Sequence, residues 1–89
     1  MGVGAYVKDP NEVADYPIEW DLDPGDTITG ATWNVPAGLI KGIDTFTTTK
    51  TVVWLSGGTA GTEYLVTCHI TTANGRQFDK TILILVLEK

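Results

Sequence analysis

Tyr64-Leu-Val-Thr-Cys-His-Ile-Thr-Thr72, Ala73-Asn-Gly-Arg76 and Gln77-Phe-Asp-Lys-Thr-Ile-Leu-Ile-Leu-Val-Leu87 decide the fold. Two runs rich in β-branched and aromatic residues flank an Asn-Gly pair, the strongest short-range signal for a β-hairpin. Two registers compete. A two-residue Asn74-Gly75 turn pairs Ala73 with Arg76. It sets Val66, Cys68 and Ile70 on the face of Leu83, Thr81 and Asp79. A three-residue loop, with Gly75 in the left-handed position of a G1 bulge, pairs Thr72 with Arg76. Tyr64, Val66, Cys68 and Ile70 then share a face with Ile84, Ile82, Lys80 and Phe78. A one-residue slip exchanges the two faces, so the hydrophobic pattern decides. The second register buries Phe78 in place of Asp79 and is the one expected. It requires Lys80 to sit at an edge or to snorkel.

This register turns Leu65, Leu83, Leu85 and Leu87 away from the core. A strand that is apolar on both faces is usually covered on both. Two covers are open. The N-terminal segment Val3 to Val7 lies over these leucines, or another subunit docks on them.

The upstream chain reads as further short strands. Residues 1–15 form an N-terminal arm, whose first six residues are an arm or an edge strand. Within it, Asp9-Pro-Asn-Glu12 has the cap, the early proline and the capping-box glutamate of a short helical turn. Residues 16–89 form the folded domain. Tyr16, Ile18, Trp20 and Leu22 alternate with Pro17, Glu19 and Asp21, as in a half-buried strand, and Pro17 places it at an edge or a strand start. Asp23-Pro-Gly-Asp26 is a turn. Ile28 and Trp33 both face inward only if the alternation breaks, and Gly30 is the natural bulge. Trp33 is expected as a central core residue packed with Trp20, Val66 and Ile84. Leu39 to Phe46 is a weaker strand. In Val52-Val-Trp-Leu55, Val53 and Leu55 face the core and Trp54 faces outward. Six or seven short strands at this spacing predict an all-β, antiparallel, immunoglobulin-like β-sandwich. Gly61-Thr-Glu-Tyr64 is a partial match to the tyrosine corner of such sandwiches: antibody domains have a cysteine two residues after the tyrosine, whereas Cys68 follows four after it and has no partner.

Composition narrows the function. The chain has 89 residues, one domain's worth, with a formal net charge of −5 and one cysteine. An acidic surface disfavours nucleic acid and anionic membranes. No apolar run reaches membrane-spanning length and no signal peptide stands out, so synthesis in a cytosol is expected. Cys68 reads as a buried, inert thiol. His69 has no partner for a metal site, since Cys68 points to the other face. Asp21, Asp23 and Asp26 miss the spacing of a calcium loop. Ser56-Gly-Gly-Thr59 lacks the Gly-Lys-Ser/Thr of a phosphate loop. Glu19 and Asp21 show no cleft for a sugar, and no serine stands in a nucleophile elbow. No enzyme, no cofactor and no metal are expected.

Several stretches, in order, carry a resemblance. They are Lys8-Asp-Pro10, Tyr16-Pro-Ile-Glu-Trp20, Asp26-Thr-Ile28, Thr32-Trp-Asn-Val-Pro-Ala-Gly-Leu39, Val53-Trp-Leu-Ser-Gly-Gly-Thr-Ala-Gly-Thr62, Tyr64 and Thr72-Ala-Asn-Gly-Arg76. Together they resemble the fiber-tail adaptor proteins of tailed phages, small virion proteins with immunoglobulin-like folds. The resemblance implies a structural part of a phage tail, present in several copies, contacting other virion proteins and carrying no catalytic residues. It implies location in the virion after synthesis in the bacterial host. The residues expected at an interface are Trp54, Leu65, Leu83 and Leu85; those expected to define the fold are Trp20, Trp33, Tyr64 and Gly75. The alternative is an immunoglobulin-like module that binds cell-surface carbohydrate or protein, with Trp54 as its exposed aromatic.

Overall fold

The computed structural model describes residues 4–88. Seven strands make two sheets: β1 (Gly4–Lys8), β2 (Ala14–Glu19), β3 (Ile28–Asn34), β4 (Leu39–Phe46), β5 (Lys50–Gly57), β6 (Thr62–Thr72) and β7 (Gln77–Val86). One sheet runs β1-β7-β6-β3 and the other β2-β5-β4. The described residues contain no helix.

The β6–β7 hairpin takes the register in which Tyr64 faces Ile84, Val66 faces Ile82, Cys68 faces Lys80 and Ile70 faces Phe78. Thr72 N–H donates to Arg76 O at 2.8 Å, closing a loop of Ala73, Asn74 and Gly75. Gly75 has φ 83°, a left-handed conformation that costs glycine little. Lys80 reaches across to the other sheet. Its ammonium donates to Glu19 O at 2.8 Å and sits 5.2 Å from the centre of the Trp20 ring. Phe78, expected inside, is exposed. It stands in the half of β7 that extends past β1, which pairs only Ile82 to Val86, so beside Phe78 the sheet ends at β7 and one side of the ring is uncovered.

The expectation of a wholly antiparallel arrangement fails at one strand. β1 runs parallel to β7, with Gly4 opposite Ile82 and Lys8 opposite Val86. Antiparallel pairing is enforced by short hairpins. β1 is joined by no hairpin to β7; the chain leaves it through the turn at residues 9–12 and enters β2 on the other sheet. One half of the capping box forms there: Asp9 N–H donates to Glu12 Oε1 at 3.2 Å, while Asp9 Oδ1 accepts from Asn11 N–H at 2.8 Å and Glu12 N–H closes a backbone turn on Asp9 O at 3.0 Å. No helical turn follows, because β2 begins at Ala14.

The sheets enclose one core. Tyr16, Ile18, Val53 and Leu55 come from the smaller sheet; Tyr64, Val66, Cys68, Ile70, Ile82, Ile84 and Val86 come from the larger. Trp20 joins them and donates its indole N–H to Thr51 Oγ1 at 3.0 Å. The β3 register shifts between Ile28 and Gly30, which lets Ile28 and Trp33 lie on the same side. Trp33, however, is only partly buried and packs against the margin of the core. β3 has a neighbour on one side only, so much of the ring lacks a covering strand.

Polar ties hold the two sheets at their ends. Lys8 is fully buried, and its ammonium donates to Asp9 O at 2.8 Å and to Gly57 O at 2.7 Å, tying β1 to β5. At the opposite end Asp26 Oδ1 accepts from Thr27 N–H at 3.0 Å and Asn74 N–H at 3.1 Å. Arg76 pairs with Asp23 and lies 3.9 Å from Asp26 Oδ2. Burial alone pushes the Asp26 carboxyl up, but hydrogen bonds from the Thr72 hydroxyl, Asn74 and Thr27, with the Arg76 charge, hold it below its ordinary value. The resulting stabilisation is complete above the ordinary carboxylate range and is lost as pH falls through the depressed value. Tyr64 Oη accepts from Thr59 N–H at 3.0 Å. A side-chain carbon at Gly38, which has φ 105°, would lie 2.8 Å from that phenol oxygen, so only glycine fits there.

Trp20→Ala removes a buried ring and its hydrogen bond and should cost about 3–5 kcal/mol. Trp33→Ala should cost clearly less. Urea denaturation of both variants checks this, and equal losses would place Trp33 in the core after all.

Candidate docking surfaces

The outer face of the larger sheet is built by strand alternation. With Tyr64, Val66 and Cys68 inward, Glu63, Leu65, Thr67, His69 and Thr71 point out from β6. Their partners on β7 are Leu85, Leu83, Thr81, Asp79 and Gln77. β1 adds Ala5 beside Leu83 and Val7 beside Leu85. Leu65, Leu83 and Leu85 therefore meet in one apolar zone that Val7 extends. Leu65 is 61% exposed and Val7 49%, while Leu83 and Leu85 are half-buried. The reading in which the N-terminal segment lies over these leucines is corrected for the described part of that segment. β1 lies beside β7 in the plane of the sheet and widens the face. Backbone pairing explains this: the edge of β7 offers β1 a row of hydrogen-bonding groups, whereas leucine tops offer it none.

The rest of the same face is polar. The Thr67 and Thr81 hydroxyls lie 2.9 Å apart. His69 Nδ1 is 2.5 Å from Asp79 Oδ1 and its Nε2 is 3.1 Å from Gln77 Oε1. Strand pairing alone brings these groups together, since His69 stands opposite Asp79.

Trp54 belongs elsewhere. It is 43% exposed on the outer face of the smaller sheet, between Asp15 on β2 and the irregular middle of β4. A side-chain carbon built on Gly42 would lie 3.4 Å from Trp54 Cβ and from its backbone oxygen, so the two strands approach closely there. Ile40, Ile43 and Phe46 of β4 are also exposed, Ile43 by 73%. Sequence reasoning marked Trp54 and passed over these three. Their signal, apolar residues on a strand whose alternation Gly42 interrupts, gives no face until the bulge between Lys41 and Asp44 is known.

The other marked residues have structural roles. Trp20, Tyr64 and Gly75 act as described above, and Trp33 sits at the core margin. Cys68 is buried, with Sγ 3.7 Å from Thr51 Oγ1, and burial pushes its thiol up to about 11. Among the described residues no three His, Cys, Asp or Glu side chains stand together as a metal site.

A family model described as the podophage GP4 fiber-tail adaptor protein gp77 matches residues 8–85. The chain belongs to the podophage fiber-tail adaptor family. Membership makes it a phage tail structural protein by kinship and accords with surfaces that offer apolar contact. The match begins at Lys8, the buried lysine, and ends at Leu85 within the apolar zone. No curated protein matches the chain.

The Cys68 thiol should be inert in the folded protein. An aromatic disulfide reagent should label it only as fast as the chain unfolds, and at full rate in denaturant. Prompt labelling at neutral pH would mean that the inner face opens to solvent.

Proposed function

We propose that this adaptor-family protein attaches fibers to the phage tail by docking, with no chemistry of its own, through the outer face of its larger sheet. The observation that carries this reading is the position of Leu65, Leu83 and Leu85. The core is complete without them, and β1 lies beside them instead of above them. Interfaces that hold stably bury at least about 1,000 Å² in total. A domain this thin offers that area only over most of one face. The protein then acts in several copies in the virion after synthesis in the bacterial host, touching other tail or fiber proteins and neither nucleic acid nor membrane. The acidic net charge supports the exclusion of nucleic acid.

The domain type belongs to the same proposal. The orders β3-β6-β7 and β2-β5-β4 are those of strands C-F-G and B-E-D in immunoglobulin-like sandwiches. The bond from Thr59 N–H to Tyr64 Oη supplies the contact of a tyrosine corner. Both support an immunoglobulin-like reading. The carbohydrate-binding alternative rested on Trp54 beside a polar concavity. Its strand neighbours here are Asp15 and Gly42, with Val52 and exposed Ile40 nearby, so one carboxylate stands among mostly apolar surroundings, which favours protein contact.

Leu83→Thr with Leu85→Thr keeps strand propensity and removes the apolar surface. The double variant should melt within about 2 kcal/mol of the wild type and fail to enter particles, as read by immunoblot of purified virions. Normal incorporation would place the interface elsewhere, and global unfolding would assign the leucines to the core.

A further inference from the structure

We infer that the partner on this face is a protein segment with an apolar stretch and a lysine or arginine at each extreme, and that it is not a second copy of this chain. The inference rests on the docking reading above and adds the chemistry of the occupant. Its ground is the distribution of charge around the apolar zone. Glu63 stands beside Leu85 and shares the outer side of β6 with Leu65. Asp79 stands at the polar end of the face; its Oδ1 meets His69, but its side chain stays 64% exposed and turns its second carboxylate oxygen to a partner cation. The strand pairings place no lysine or arginine on this face among the described residues. Lys8 is buried between the sheets, Lys80 crosses to Glu19 and Trp20, and Arg76 is held at the hairpin turn by Asp23. His69 is already engaged by Asp79 and Gln77.

Glu63 and Asp79 are sixteen positions apart in sequence but lie on adjacent strands. Asp79 is opposite His69, six residues along β6 from Glu63, which sets the two carboxylates roughly 20 Å apart along the strands. The leucines lie near the Glu63 end and the Thr67–Thr81 hydroxyl pair lies between them and Asp79. A complementary surface has apolar side chains at one end, hydroxyl or amide groups in the middle, and a cation at each extreme. Charge complementarity across an interface selects partners and speeds encounter, whereas like charges brought together cost several kcal/mol. Two copies placed face to face on this surface bring carboxylates toward carboxylates with no lysine or arginine to answer them. That rules the second copy out as the preferred occupant.

The test uses full-length protein and, as probe, particles purified from a phage that lacks this protein, with binding read by co-sedimentation. Binding of the wild type should weaken as salt rises, since salt screens partly exposed ion pairs. Glu63→Lys and Asp79→Lys should each weaken it by at least about tenfold at low salt, because each sets like charges together. Glu63→Gln should cost less and flatten the salt dependence. Leu65→Thr, an exposed position that folding does not need, reports on the face itself. If Leu65→Thr loses binding while both charge reversals bind like the wild type without salt dependence, the face docks but this partner chemistry is wrong. If all four variants bind like the wild type, the docking reading falls as well. If the purified protein alone sediments as a dimer that Leu65→Thr dissociates, the occupant is a second copy and the inference is overturned.

Discussion

The bond from Thr72 N–H to Arg76 O, across Ala73, Asn74 and Gly75, sets the pairing of every residue in the long hairpin. Side chains alternate along a strand, so a slip of one residue would exchange both faces of β6 and β7. With the observed register, Val66, Cys68, Ile70, Ile82 and Ile84 enter the core, and Leu65, Leu83 and Leu85 are left outside. The turn is tied down from a distance. Asp26 accepts from Asn74 N–H, Arg76 pairs with Asp23, and Ala73 N–H donates to Thr27 O. The turn before β3 therefore braces the turn after β6, and both the core and the outer face depend on that brace.

Lys8 performs the matching task at the other end. An ammonium fully out of water is costly unless its donors are met. The carbonyl oxygens of Asp9 and Gly57 meet two of them, and Gly57 belongs to the opposite sheet. The lysine thereby ties the parallel edge strand to the opposite sheet where no hairpin does. That position matters for the outer face, since β1 presents Val7 only when it pairs with β7.

The hairpin was legible in the sequence because three signals agreed: the Asn-Gly pair, the alternation of Tyr64 to Ile70, and the cost of burying Asp79. The bulge at Gly30 was legible for a similar reason, since Ile28 and Trp33 demand it. The misplaced residues were those whose environment is set by distant chain. Trp33 lies on an edge strand, and Phe78 stands where β7 outruns β1; neither edge can be read from local pattern. Lys8 carries a polar side chain, so local pattern assigns it to solvent, although it shares its side of β1 with the partly buried Tyr6. The leucine face was readable as a surplus of apolar residues, and the β4 patch was hidden by the irregularity at Gly42 and Ile43. The partner chemistry depends on where lysines and arginines are held, which is a tertiary fact.

The two sheets have two outer faces, and they differ in character. One is an apolar zone with carboxylates at its margins; the other is an irregular strand edge beside an open indole. Hydroxyl-radical footprinting of the free protein and of intact particles tests the central claim most directly. Leu65, Leu83 and Leu85 should be modified in the free protein and protected in the particle. Equal modification of these leucines in both states would contradict it.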